Sequence, residues 1–207
     1  MKFDRRSFIA AGTAALFRPA SLLAQEVEEE AYFSGNADDH GIVYRRTNLD
    51  TIDAVFRRQV VRYPHSEVPG SIVVDIRHHF LYLTYENNVA LRYGVGVGRE
   101  GFQWFGRAQI MRKAVWPTWT PPPEMRQRQP HLPQNMKGGW GNPLGPRAMY
   151  LYRDGRDLIY RIHGTVEPWT IGEDVSSGCI RMLNEDVIDL FGRAPVGTRV
   201  SVLEQVE

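Results

Sequence analysis

Short runs of β-branched and aromatic residues, each ended by a turn signal, constrain the fold of this chain more than any other feature. Runs of this kind, bounded by Gly, Pro, Asn or Asp, are typical of β-strands. They occupy residues 71–76, 80–85, 89–97, 107–116, 148–152, 158–162 and 198–203. The clearest helix signal is residues 185–191, with Asn184 predicted as the N-cap. The pattern predicts a mainly β fold with one or two short helices around a single core.

Residues 116–140 interrupt the strand pattern with a segment rich in proline and tryptophan. Consecutive prolines at 121–123 remove backbone donors, so we expect neither helix nor interior strand there. Because tryptophans flank the prolines, we predict an ordered loop or flap instead of a disordered linker.

Adjacent histidines, His78 and His79, raise the question of a metal site. Neighbouring residues of a strand point to opposite faces, and the sequence offers no Cys, Asp or Glu at ligand spacing. We interpret the pair as a solvent-facing turn and predict no metal site.

The chemistry of the chain centres on its single cysteine, Cys179, and on His163, sixteen residues earlier. A thiol attacks as thiolate, and a nearby imidazole is the usual means of removing its proton near neutral pH. His163 ends the strand signal 158–162, and Gly164 provides a turn that lets the chain return to Cys179. We predict that Cys179 is the nucleophile and that His163 is its general base.

The residues around the thiol fit acyl transfer. Gly178 allows backbone conformations that are closed to other residues, and the amides of Ser177, Gly178 and Cys179 are placed to bind an oxyanion. The alternative is structural, since a lone cysteine is often a small buried hydrophobe and a lone histidine is often structural.

The motif H-G-T at 163–165, followed by S-S-G-C-I-R-M-L-N-E-D at 176–186, resembles the L,D-transpeptidases. Their catalytic domain is also called YkuD or ErfK/YbiS/YcfS/YnhG. The resemblance covers about residues 70–204 and includes I-V-V-D-I (72–76), G-V-G-V-G-R (94–99), P-T-W-T-P-P (117–122), G-N-P-L-G-P-R-A-M-Y-L (141–151) and P-V-G-T-R-V (195–200). Many members carry histidine where this chain has Ser177, so a second histidine of the site is absent here.

The resemblance implies a YkuD-like β-sandwich catalytic domain over residues 70–205 that needs no cofactor. It implies that Cys179 attacks the diaminopimelate carbonyl of a peptidoglycan tetrapeptide stem, expels D-alanine and holds the acyl group as a thioester. His163 would be the general base and acid, oriented by the backbone carbonyl of Gly164. Carbapenems would acylate Cys179.

The resemblance also implies partners and further site residues. The acyl acceptor would be a second diaminopimelate, giving a 3-3 cross-link, or a lysine of an outer-membrane protein. Substrate-binding or oxyanion roles would fall to Ser176, Ser177, Gly178 and Arg181. Arg181 either binds a substrate carboxylate or forms a structural ion pair.

Three alternative functions are considered beside transpeptidation. An L,D-carboxypeptidase or endopeptidase on the same fold would pass the thioester to water. A non-catalytic wall-binding protein would be expected to lack Cys179 or His163, and both are present. A redox protein would require a resolving cysteine, which a chain with one cysteine lacks.

The N-terminus predicts export. Residues 1–24 combine basic residues, a short apolar core and a small residue for cleavage, and D-R-R-S-F-I at 4–9 matches a twin-arginine signal. Removing this segment changes the net charge from +1 to about −2, and no basic patch remains for nucleic acid. We predict a periplasmic protein in which residues 25–69 form an acidic tether, disordered or loosely packed over 25–39, and an N-terminal extension.

Overall fold

The computed structural model describes residues 28–99 and 104–203. The predicted twin-arginine signal at 1–24 lies outside the described residues. Within them, no helix is long and apolar enough to cross a membrane.

The described residues form twelve strands, and eight of these hydrogen-bond into one closed path. The strands are β1 (Phe33–Asp39), β2 (Ile42–Thr47), β3 (Gln59–Arg62), β4 (Ile72–Asp75), β5 (Phe80–Thr84), β6 (Val89–Gly98), β7 (Gly106–Val115), β8 (Arg147–Arg153), β9 (Arg156–His163), β10 (Asp174–Ser176), β11 (Ile180–Met182) and β12 (Arg199–Val202). The order β6-β11-β9-β8-β7-β12-β4-β5 returns to β6, and β3 and β10 also pair with β6. The layers of the expected sandwich are thus joined into a ring, and closure removes unpaired edges.

Alternating side chains of these strands build two cores. Ile72 and Val74 face the main core inside the ring, whereas Val73 between them packs in a second cluster with Phe80 and Tyr82. The period of two places successive side chains on opposite faces of the sheet. The outer cluster is covered by three residues that precede the domain: Phe56, Val61 and Tyr63. The N-terminal extension is therefore part of the packed structure.

The sequence predicts a disordered or loosely packed tether over residues 25–39, and the described part of this segment includes a strand. Phe33–Asp39 is strand β1, which pairs antiparallel with β2 to form a separate two-stranded sheet. Pairing across the hairpin orders the backbone of these residues, although most of their side chains are exposed. Beyond the hairpin, Asn48 caps a 3-10 turn at Leu49–Thr51, and its side chain accepts a hydrogen bond from the Asp50 amide.

A buried ion pair fastens the hairpin to the domain. The Asp39 carboxylate at the end of β1 accepts two hydrogen bonds from the Arg147 guanidinium, at 2.6 and 2.8 Å. Arg147 is only 5% exposed. The indole of Trp116 donates to the Asp39 carbonyl, and the Thr47 amide donates to the Glu185 carboxylate. These bonds hold both ends of the hairpin.

The two α-helices correct two predictions. Helix α1, Pro123–Arg128, begins inside the proline-rich segment, where no helix was expected. Proline is tolerated in the first turn, because its missing N–H has no intrahelical partner there. Helix α2, Asn184–Arg193, begins at Asn184 with Leu183 as the N-cap, so the prediction of Asn184 as cap is wrong.

The histidine pair lies in the turn between β4 and β5, as predicted. Each ring has an aspartate partner that the sequence did not suggest: His78 Nδ1 lies 2.8 Å from Asp75 Oδ2, and His79 Nε2 lies 3.0 Å from Asp174 Oδ1. Neither pair belongs to a group of three or more side chains that could bind a metal ion within residues 28–99 and 104–203.

Candidate active site

The pairing of β9 with β11 brings the histidine and the cysteine together. The two strands are parallel, with Ile180 opposite Ile162 and Arg181 opposite His163. Cys179 directly precedes β11 and so lies beside Arg161. Cys179 is two residues before Arg181, the strand partner of His163, and residues two apart along a strand point to the same face.

The His163 ring is buried and held in one tautomer. Its Nδ1 lies 2.6 Å from the carbonyl oxygen of Gly164, and the residue is 5% exposed. A carbonyl only accepts hydrogen bonds, so Nδ1 carries the proton and Nε2 keeps its lone pair. Burial lowers the pKa of His163 from 6.5 to about 4, and the Arg181 and Arg161 guanidinium groups act in the same direction. The imidazole is neutral at pH 7 and can accept a proton.

Gly164 is packed so closely that a side chain would not fit. A Cβ there would lie 2.4 Å from the Asn184 side-chain oxygen and 2.9 Å from Pro146 Cδ. The same Asn184 oxygen accepts a hydrogen bond from the Thr165 amide at 3.0 Å. Asn184, which the sequence suggested only as a helix cap, therefore fixes the turn that holds the imidazole.

The loop before Cys179 is clamped by a serine. Ser176 Oγ donates to the Cys179 carbonyl at 2.6 Å and accepts from the Gly178 amide at 3.1 Å. Gly178 has a φ of +102°, a backbone conformation that favours glycine. Ser176 and the Gly178 amide thus shape the loop, and that amide is engaged within the protein instead of pointing at an oxyanion. The side chain of Ser177 is exposed.

Opposing influences act on the Cys179 thiol. The residue is half-buried, and desolvation raises the pKa of the thiol. A hydrogen bond from the Arg161 backbone and the charges of Arg161 and Arg181 lower that pKa, without overcoming the desolvation. The resting site therefore holds a neutral thiol beside a neutral imidazole, because a buried ion pair would lose more solvation than it regains.

Two arginines border the site, and each is bound to a carboxylate. Arg181 donates to Glu167 at 2.6 Å, so the structure contains the ion pair that was one of its two predicted roles. Arg161 makes two bonds with Asp157, at 2.8 and 3.1 Å. Sequence reasoning missed Arg161, although its position two residues before His163 on a strand places both on one face.

Known proteins supply the remaining evidence. A family model described as the L,D-transpeptidase catalytic domain, YkuD, matches residues 69–202. The chain belongs to this family. The resemblance seen in the sequence motifs is confirmed, as is the mainly β fold class with few short helices.

Curated relatives agree with this family. "Probable L,D-transpeptidase ErfK/SrfK" of Escherichia coli K12 is 37% identical over 147 residues, which cover 67% of this chain and 45% of the relative. "Probable L,D-transpeptidase YbiS" of the same strain is 33% identical over 150 residues, or 69% of this chain and 47% of the relative. The chain thus spans about half the length of these L,D-transpeptidases.

Solved structures include a protein with a different name. The crystal structure of a "Probable carnitine operon oxidoreductase caia" from Brucella melitensis is 49% identical, covers 75% of this chain and 99% of that chain, and has a TM-score of 0.50. The structure of the Ldtfm-avibactam carbamoyl enzyme is 19% identical to this chain and has a TM-score of 0.51. The match covers 68% of this chain and 51% of that enzyme's chain. The second likeness concerns the fold alone.

Proposed function

We propose that this protein is a peptidoglycan L,D-transpeptidase with Cys179 as nucleophile. The thiol proton passes to His163 Nε2 as sulfur bonds to the diaminopimelate carbonyl of a tetrapeptide stem. The tetrahedral intermediate collapses, its C–N bond breaks, and the imidazolium protonates the departing D-alanine nitrogen. An amine then attacks the thioester, His163 accepts its proton, and the thiol is restored.

The observation that carries this proposal is the register of β9 against β11, combined with the tautomer of His163. His163 of β9 is paired with Arg181 of β11, and Cys179 is two residues before Arg181, which supports a position of the thiol on the side of the sheet that carries the imidazole. The bond from Nδ1 to Gly164 leaves Nε2 as the basic atom. A backbone carbonyl does the orienting that an aspartate does in other triads, so the pair needs no third side chain.

A neutral resting pair fits proton transfer during attack. With the His163 pKa at about 4, the imidazole is unprotonated at neutral pH and can accept the thiol proton. Because the pKa of the thiol is raised, the thiolate forms only as the carbonyl is attacked. The amides of Ser177 and Cys179 remain the proposed oxyanion donors, since the Gly178 amide bonds to Ser176.

Acyl transfer is favoured over dithiol redox chemistry. Dithiol redox chemistry requires a resolving thiol, and Cys179 is the single cysteine in 207 residues. The acceptor of the acyl group is proposed to be an amine, from a second stem or from a protein lysine. Water as acceptor would make the enzyme a carboxypeptidase, and product analysis separates the two.

Intact-mass measurement with a donor stem tests the nucleophile. Mixing the protein with a tetrapeptide ending in D-alanine should add the tripeptide acyl mass and release one D-alanine. Cys179→Ala should gain no mass, whereas Ser177→Ala, at the exposed neighbouring position, should still be acylated. Carbapenem provides a second probe of the same sulfur. An adduct on Cys179→Ala would overturn the assignment.

Export through the twin-arginine route is a separate proposal. The signal at 1–24 carries Arg5 and Arg6, and receptors of this route read the guanidinium pair. Replacing both by lysine should leave the precursor in the cytoplasm, as cell fractionation would reveal. Normal export of that variant would indicate a different signal type.

A further inference from the structure

An aromatic pocket lies next to the segment that follows the catalytic histidine. Its volume is about 460 Å³, and its walls include five aromatic side chains: Phe33, Tyr44, Trp116, Trp140 and Trp169. Trp140 is 69% exposed. Leaving a large apolar ring open to water is unfavourable, and such rings with a concave pocket mark binding sites. The volume falls within the range of small-ligand pockets.

The rim of the pocket carries charges of both signs. Glu29, Glu30 and Arg45 line it, and the Arg45 guanidinium pairs with Glu30 while lying 3.5 Å from the centre of the Phe33 ring. Because the Arg45 guanidinium and the Glu30 carboxylate are paired with each other, neither is left unpaired to select a ligand of the opposite charge. Hydroxyl or amide groups of a neutral ligand can bond to both, and the aromatic walls suit a ligand with flat apolar faces. A sugar ring has both.

Part of the pocket lining lies close to residues of the proposed active site. Gly145, Val166 and Asn184 form part of the lining. Asn184 accepts the hydrogen bond from Thr165 that fixes the turn after His163. Val166 directly precedes Glu167, the partner of Arg181. A ligand in the pocket would lie against the same segment, residues 164–167, that borders the thiol site.

We propose that this pocket binds a saccharide ring of the glycan strand that carries the donor stem peptide. The inference rests on the proposed function, because it concerns the same substrate. The acylated carbonyl belongs to the third residue of the stem, so three residues, which extend over about 10 Å, and the group that joins the first of them to the sugar separate Cys179 from the sugar ring. The enzyme then recognises stems on glycan in preference to free peptides.

The prediction is a substrate preference that depends on Trp140. The acylation efficiency, kcat/KM for D-alanine release, should be about tenfold higher for a disaccharide-tetrapeptide than for the free tetrapeptide, the worth of one good stacking contact. Trp140→Ala should abolish this advantage by slowing the disaccharide substrate alone. Trp140→Tyr, which restores a flat ring, should recover most of it.

Two controls separate stacking from general damage. Phe105→Ala removes a partly exposed aromatic ring outside the pocket lining and should retain the full preference. Carbapenem acylation, which needs no glycan, should be unchanged in Trp140→Ala. Equal slowing of free peptide, disaccharide-peptide and carbapenem by Trp140→Ala would overturn the inference.

Failure of the inference is distinguishable from failure of the proposed function. If free and disaccharide-linked tetrapeptides acylate Cys179 at equal rates, the transpeptidase proposal stands and the saccharide site is wrong. If neither acylates Cys179, both are wrong. If the preference exists but persists in Trp140→Ala, the sugar is recognised elsewhere and this pocket is not its site.

Discussion

The β9–β11 strand pair and the β1–β2 hairpin border the same end of the molecule but are held in different ways. Around β9 and β11, short hydrogen bonds fix His163, Thr165 and Gly178, and Gly164 has no space for a side chain. The hairpin is a separate sheet, fastened mainly by the pair Asp39–Arg147 and leaving an open aromatic pocket beside it.

This difference indicates how rigidity is distributed. A general base must be held within a few tenths of an ångström, so the polar atoms around it are bonded and buried. A ligand pocket gains from exposed rings and fewer bonds. Substitutions near β9 should therefore act on the chemical step, and substitutions in the hairpin should act on stability or on substrate preference.

The largest expected effect is on the base itself. His163→Gln keeps a polar side chain of similar size but has no proton acceptor of suitable pKa, so acylation of Cys179 should fall by about 10²–10⁴-fold. The rate of mass gain with tetrapeptide or carbapenem measures it. Ser177→Ala serves as the matched control and should cost less than about tenfold, since the serine is exposed and offers only a neutral hydrogen bond. Equal losses of acylation rate in His163→Gln and Ser177→Ala would contradict the assignment of His163 as the base.

The next effect concerns the attachment of the hairpin. Asp39→Ala leaves the Arg147 guanidinium buried without its carboxylate, so the free energy of unfolding should drop by about 3 kcal/mol. Glu30→Ala breaks the more exposed pair with Arg45 and should change that free energy by about 0–1 kcal/mol. Chemical denaturation compares the two. A small loss for Asp39→Ala would mean that the hairpin is held by other contacts.

A smaller effect is expected at Asn184, where the two regions meet. Asn184→Ala leaves the buried Thr165 amide without its acceptor, which should cost about 1–3 kcal/mol of stability. Because that amide fixes the turn after His163, the acylation rate should also fall. Asn184→Asp retains an acceptor oxygen and should keep more of both. If Asn184→Ala loses stability without any change in acylation rate, the turn does not need this bond to orient the imidazole.

Local sequence signals predicted seven strands of the domain, β4 to β9 and β12, because a two-residue period and turn residues act over short distances. They missed β10 and β11, which are only three residues long. The predicted run 107–116 corresponds to β7 and the run 89–97 to β6, and the ends of both strands agree within one residue. Strand β1 was missed because its sequence, F-S-G-N-A-D-D, has no such period and depends on pairing with β2. Asn184 was misassigned because its side chain bonds to Thr165, nineteen residues away in sequence.

The site could be predicted in part for the same reason. His163 and Gly164 stand in one short motif, 163–165, and Cys179 stands in another, 176–186, so the sequence suggested their chemistry. The neutral state of the pair was not visible, because burial raises the pKa of the thiol and, together with two arginines, lowers the pKa of the imidazole. Arg161 is adjacent to the thiol only through the register of β9 against β11. The aromatic pocket likewise gathers residues from four separate parts of the chain.

The pH dependence of Cys179 acylation is the most direct test of the proposed mechanism, because that mechanism requires a neutral His163 as the base. Its folded pKa is lowered to about 4, so the basic form is present above that value and is lost only as pH falls through it. The acylation rate with a donor tetrapeptide should be nearly the same at pH 5.5 as at pH 7.5 and should drop steeply in His163→Gln at both. An ordinary histidine with a pKa of 6.5 would be about nine-tenths protonated at pH 5.5. A roughly tenfold loss of rate between pH 7.5 and 5.5 would therefore contradict the account.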